Sequence, residues 1–105
     1  MNKGTVVLLP FPFTDLQGAK KRPAVVVMED ELDVTVVFIT SKLMKSGQFD
    51  LAIQPAKENG LKIPSLIRVQ RWASINKAHL FGILGELTQE DLKKLHIQIK
   101  RALAA

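Results

Sequence analysis

With 105 residues, 47% of them hydrophobic, the chain is long enough to bury one real core, and a single domain over residues 1–105 is expected. It has no cysteine, which excludes disulfides and thiolate metal sites and fits a reducing compartment. The formal net charge of +5 is uneven: residues 1–52 balance six Lys/Arg against six Asp/Glu, whereas residues 53–105 hold nine against four. A basic surplus suits a polyanionic partner and equally suits an ordinary solvated surface, so charge alone does not choose between them.

The N-terminal run MNKGTVVLLPFPF is short, broken by Pro10 and Pro12, and lacks a small-residue cleavage site. It reads as a strand over Thr5–Leu9 rather than a signal peptide. No apolar run approaches the ~20 residues of a membrane span, so a soluble, cytoplasmic protein with no membrane partner is expected. A loop punctuated by Pro10, Pro12 and Gly18 follows, and it carries the basic run Lys20, Lys21 and Arg22. Ala24–Met28 and Val34–Thr40 predict two β-branched strands. The acidic turn Glu29–Asp33 between them is short enough for an antiparallel hairpin.

Leu51–Gln54 predicts a short strand, Asn59-Gly60 a turn, and Leu66–Trp72 a strand after Pro64. Phe81–Leu87 is the last, with Gly82 and Gly85 permitting a bulge or a close backbone approach. The period then changes. Thr88 is a natural N-cap, Glu90 and Asp91 suit the first helical turn, and Leu92, Leu95, Ile99, Ala102 and Leu103 form one apolar stripe. The expected fold is mainly β with one terminal α-helix: a small, strongly bent antiparallel sheet or barrel.

Five segments in order carry a family resemblance: GTVVLLPFPFTD, KKRPAVVV, VTVVFITSK, NGLKIPSLIRV and GILGELTQEDL. Together they resemble the MazF/PemK toxins of type II toxin–antitoxin systems over nearly the whole chain. The resemblance implies an SH3-like barrel of short antiparallel strands, a homodimer, and a metal-independent endoribonuclease with RNA as substrate and no cofactor. It also implies a cognate antitoxin whose C-terminal tail occupies the dimer groove, with DNA binding only through that antitoxin.

The family's Arg-Pro pair matches Arg22-Pro23. Proline fixes its own φ and pushes the preceding residue to extended geometry, so Arg22 is restrained while Lys20 and Lys21 are expected in flexible loop. A guanidinium offers planar, permanently charged donors for phosphate; the other reading is a surface charge that solvates the start of a strand. The family's catalytic hydroxyl matches Thr40, in Thr40-Ser41-Lys42, where Thr and Ser also serve as turn formers. The hairpin itself brings Arg22 and Thr40 to one end of the sheet.

Arg68-Val69-Gln70-Arg71-Trp72 supplies the third expected catalytic residue, Arg68. Strand alternation sets Arg68, Gln70 and Trp72 on one face and Ile67, Val69 and Arg71 on the other. Gln70 stands where some relatives have an acid, and it cannot act as a general base. Trp72 suits base stacking, and equally a core or dimer contact. Lys20, Lys21, Ser41, Gln70, Trp72 and Lys77 complete the expected RNA contacts, with solvation as the alternative for Lys77. His79 is a weak candidate for acid–base work and His96 reads as structural; neither sits in a metal-ligand pattern, and no metal site is expected. Two other functions share the pattern: a non-catalytic toxin of this fold that inhibits a protein such as DNA gyrase, and a small nucleic-acid-binding regulatory module.

Overall fold

The computed structural model describes residues 1–11, 20–44 and 47–105, the side chains of Phe11 and Lys20 excepted. Its strands are β1 (Thr5–Phe11), β2 (Lys20–Glu29), β3 (Asp33–Thr40), β4 (Leu51–Ile53), β5 (Ser65–Asn76) and β6 (Gly82–Glu86). A 3₁₀ turn, Lys77–His79, precedes β6, and helix α1 (Gln89–Ala104) follows it. Every pairing is antiparallel, and the order across the sheet is β4-β5-β3-β2-β1-β6.

The valine runs lack polar alternation because both faces of the sheet are covered. Val6, Val25, Val27, Val37, Ile39, Ile67 and Val69 pack on one face with Leu87 and the fully buried Leu95 of α1. Val7, Leu9, Ala24, Val26, Val34, Val36 and Ile75 form a second cluster on the other. The helix starts where its sequence dictates, with Thr88 Oγ1 accepting the Asp91 N–H at 3.2 Å. Leu92, Ile99 and Ala102 join the first cluster. Leu103 does not belong to the stripe: it is 77% exposed, one position too far around the last turn. Among the described residues no helix is long and apolar enough to cross a membrane.

The sheet curls into a half-barrel, and the segment 54–64 bridges its two edges. Asn59 is fully buried and organises that segment: its Oδ1 accepts the Ala56 and Leu61 N–H groups at 3.1 and 2.9 Å, and its Nδ2 donates to Gln54 O at 3.0 Å. Gly60 then takes φ +71°, a backbone that glycine adopts without strain. The Glu86 N–H donates to Glu58 O at 2.7 Å. A Cβ on Gly85 would overlap Glu58 O, so this glycine permits the approach that joins segment to strand.

Two expectations need correction. The basic run is not loop: β2 begins at Lys20, with Lys21 opposite Pro10 and Arg22 opposite Leu9 of β1. β1 extends to Phe11, and the extended geometry that Pro23 imposes on Arg22 is the geometry of a strand. Strand β5 also runs on to Asn76, and its pairing with β3 slips between Val37 and Phe38. Val37 faces Trp72 while Phe38 faces Arg68, so Val69, Gln70 and Arg71 are extra residues on one side of the ladder.

Candidate functional site

Two residues beyond the Ala24–Phe38 pair, each strand of the β2–β3 hairpin reaches a polar residue: Arg22 on β2 and Thr40 on β3. Both line a pocket of about 480 Å³ together with Phe38, Ile39, Lys42, Arg68, Arg71, Trp72 and Ala73. Among the described residues the lining therefore holds four cationic side chains, one hydroxyl and one indole, and no carboxylate. Such a wall attracts an anion with flat, stackable groups.

The β5 bulge is what assembles that wall. Alternation assigned Arg71 to the face opposite Arg68, but the three extra residues reset the phase. Val69 turns fully into the core while Arg68, Arg71 and Trp72 all reach the pocket. Gln70 is exposed and lies outside its lining. Trp72 is 38% exposed, which leaves part of its ring open to a partner.

The two site arginines are held differently. Arg22 is half-buried, and among the described residues its buried Nε has no hydrogen-bond partner. Such an orphaned donor is costly and invites an acceptor. Arg68 lies 2.9 Å through Nε from Asp50 Oδ2, an ion pair whose N–H direction misses hydrogen-bond alignment. Thr40 Oγ1 accepts the Lys42 N–H at 3.1 Å, which closes the turn after β3 and leaves the hydroxyl proton available to another acceptor.

A second pocket of about 290 Å³ shares Arg22 and Ile39 with the first, and Lys21, Ser41, Lys62, Ile63 and Leu84 also line it. Lys21 Nζ stands 5.5 Å from the centroid of the Phe81 ring. The Lys20 side chain lies outside the described residues, as do residues 12–19 before it. Lys77 is distant from both pockets: it follows the far end of β5, where its Nζ pairs with Glu29 at 3.1 Å. His79 and His96 are exposed, on the 3₁₀ turn and on α1, and line neither pocket. Among the described residues no three His, Asp or Glu side chains come together as a metal-binding group. Sequence reasoning missed Lys42, Asp50 and Lys62, and it assigned Arg71 to the wrong face. Only the Thr40-Ser41-Lys42 adjacency offered a signal for any of them.

Solved structures share this architecture. A mycobacterial endoribonuclease in complex with its cognate antitoxin superposes with TM-score 0.78 at 18% identity, covering 99% of this chain and 95% of that one. The Mycobacterium tuberculosis toxin MazF-mt6 gives 0.76 at 19% identity, covering 95% and 96%. MazF from Deinococcus radiodurans gives 0.73 at 18% identity, covering 100% and 97%. Identities this low establish the fold. No curated protein sequence shows significant similarity to the chain. A family model does, over residues 2–103, and by that match the chain belongs to the PemK-like, MazF-like toxins of type II toxin–antitoxin systems.

Proposed function

We propose that the chain is a metal-independent endoribonuclease that cuts single-stranded RNA through its own 2′-OH, and that a cognate antitoxin neutralises it. The observation that carries this reading is the convergence of Arg22, Thr40, Lys42, Arg68 and Arg71 on one pocket, with no carboxylate among the described residues of its lining. Cations and a hydroxyl grip phosphate oxygens; they are poor ligands for a metal ion. The activity and antitoxin of the mycobacterial neighbour fit the same reading.

In this mechanism the 2′-oxygen attacks the adjacent phosphorus, the P–O5′ bond breaks, and the products carry a 2′,3′-cyclic phosphate and a 5′-hydroxyl. Arg22 and Arg68 stabilise the dianionic phosphorane, where preorganised donors act most strongly. Thr40 donates to a non-bridging oxygen, and Trp72 offers a flanking base a ring to stack on. A general base takes the 2′-OH proton and an acid returns one to the leaving 5′-oxygen; among the described residues the pocket lining holds neither a carboxylate nor an imidazole to do so. A guanidinium holds its proton strongly, which weighs against arginine as the base.

The 105 residues act as one toxin domain in the cytoplasm, as a homodimer, with DNA contacted only through the antitoxin. Support for the dimer comes from edge strand β6, where Ile83 is 61% exposed and Leu84 37%, beside Phe81 at 52%. Labelled RNA incubated with purified protein tests the activity. Cleavage is expected. Binding without cleavage would point to a regulatory module, and neither would point to a toxin that inhibits a protein target.

A further inference from the structure

We infer that Asp50 is the positioning residue for Arg68, fixing its guanidinium from the buried side so that its terminal amino groups serve the pocket. The inference rests on reading that pocket as the RNA-cleaving site. Extending the Leu51–Ile67 pairing by one residue sets Asp50 opposite Arg68 across the β4–β5 ladder. The Asp50 side chain is only 4% exposed, against 28% for Arg68, and Oδ2 lies 2.9 Å from Arg68 Nε. A carboxylate this buried is stable only when paired, so the contact is obligatory for the aspartate as well as for the arginine.

Asp50 is itself held by the turn before β4. Its Oδ2 accepts the Gly47 N–H at 2.6 Å, and its own N–H donates to Gly47 O at 3.2 Å. The neighbouring Phe49 is buried in the core, and Phe49 O accepts Gln98 Nε2 of α1 at 3.1 Å. A continuous set of contacts thus runs from the helix through the turn to one pocket arginine. Asp50 does not line the pocket, and Oδ2 already faces the Gly47 N–H and Arg68. It is therefore no general base. With Nε held 2.9 Å from Asp50 Oδ2 in an ion pair, Arg68 offers phosphate its two terminal nitrogens. Asp50 also offsets one of the pocket's four positive charges.

Orientation and charge predict opposite effects on two measurable quantities. In Asp50→Asn, kcat should fall on the order of tenfold to 10²-fold, the cost of a misplaced catalytic group. Binding of an oligonucleotide blocked by deoxyribose at the scissile position should hold or tighten, because a negative charge has been removed. The same substitution in an Arg68→Ala background should change kcat no further, since Asp50 acts through Arg68. Wild-type kcat in Asp50→Asn overturns the inference, and so does a parallel loss of kcat, binding and thermal stability, the signature of a turn that merely collapses. If Asp50→Asn fails to fold, Asp50→Glu retains the charge while displacing the carboxylate, and it should show the same fall in kcat without tighter binding; wild-type kcat there overturns the inference. The Arg68 Nε–H resonance, assigned with Arg68→Lys, reads position without cleavage. Its chemical shift, set in the wild type by the carboxylate beside it, should move in Asp50→Asn; an unchanged signal overturns positioning. Should the wild type leave RNA uncut while this resonance behaves as expected, the endoribonuclease reading fails and the positioning stands.

Discussion

Arg68 and Trp72 lie four residues apart on β5 yet face consecutive residues of β3, Phe38 and Val37. The bulge between them bends the strand and brings Arg71 round to the pocket that Arg68 and Trp72 already line. Arg71 therefore adds a positive charge to that pocket. Arg71→Ala should weaken binding of a non-cleavable oligonucleotide about equally for every sequence, and lower the salt dependence of binding by about one counterion. Titrations at several salt concentrations measure both. An unchanged slope would place Arg71 outside the RNA path.

Arg22 sits between the two pockets, and its buried Nε is unpaired among the described residues. Arg22→Ala should reduce kcat by roughly 10²–10³, the usual cost of one preorganised charge-stabilising donor. Its thermal midpoint should hold, because the side chain is half-buried, fills no core position and leaves an orphaned donor when present. Arg22→Lys should rescue little, since a point charge cannot replace a planar fork. Rates and melting curves on the purified variants check all three statements.

Thr40 has two duties that substitution can separate. Its oxygen closes the turn to the Lys42 N–H, and its proton remains available to another acceptor. Thr40→Ser keeps both groups and should cut RNA at close to the wild-type rate. Thr40→Val loses both, so its rate should fall while Lys42, itself a pocket residue, loses its anchor. A single-turnover assay compares the pair, and equal rates would remove the hydroxyl from the mechanism.

The half-barrel closes at Gly85, where a Cβ would overlap Glu58 O, whereas a Cβ on Gly82 would meet nothing within 4 Å. Gly85→Ala should cost about 1–3 kcal/mol, the range for forcing an atom into filled space, and Gly82→Ala should be close to neutral. Each kcal/mol lowers the melting temperature of a domain this size by about 4–8 °C. Thermal unfolding of both variants tests whether the 54–64 segment truly pins the edges together.

Much of this architecture was legible because single residues carried its rules. The valine runs gave the central strands, Thr88 and the leucine spacing gave α1, and Asn59-Gly60 and Gly85 marked the turn and the close approach. The meeting of Arg22 with Thr40 followed from hairpin geometry alone. What escaped depends on pairing between distant segments. The run Lys20–Arg22 has loop composition but becomes strand because β1 continues far enough to pair with it. Three extra residues in β5 reversed the assignment of Arg71, and no local preference of Val69, Gln70 or Arg71 announces a bulge. Asp50 gave no signal because its importance lies in a partner 18 positions away.

The central claim is that the pocket cuts RNA by activating the substrate's own 2′-OH. The most direct measurement is end-group analysis of a labelled oligonucleotide cut in excess EDTA, beside a copy carrying one deoxyribose 5′ of the scissile phosphate. The account predicts a 2′,3′-cyclic phosphate and a free 5′-hydroxyl from the first, and a bound but uncut second. A 5′-phosphate product, or activity lost with chelation and restored by magnesium, would instead mean metal-activated water and would contradict the roles given to Arg22, Thr40 and Arg68 together.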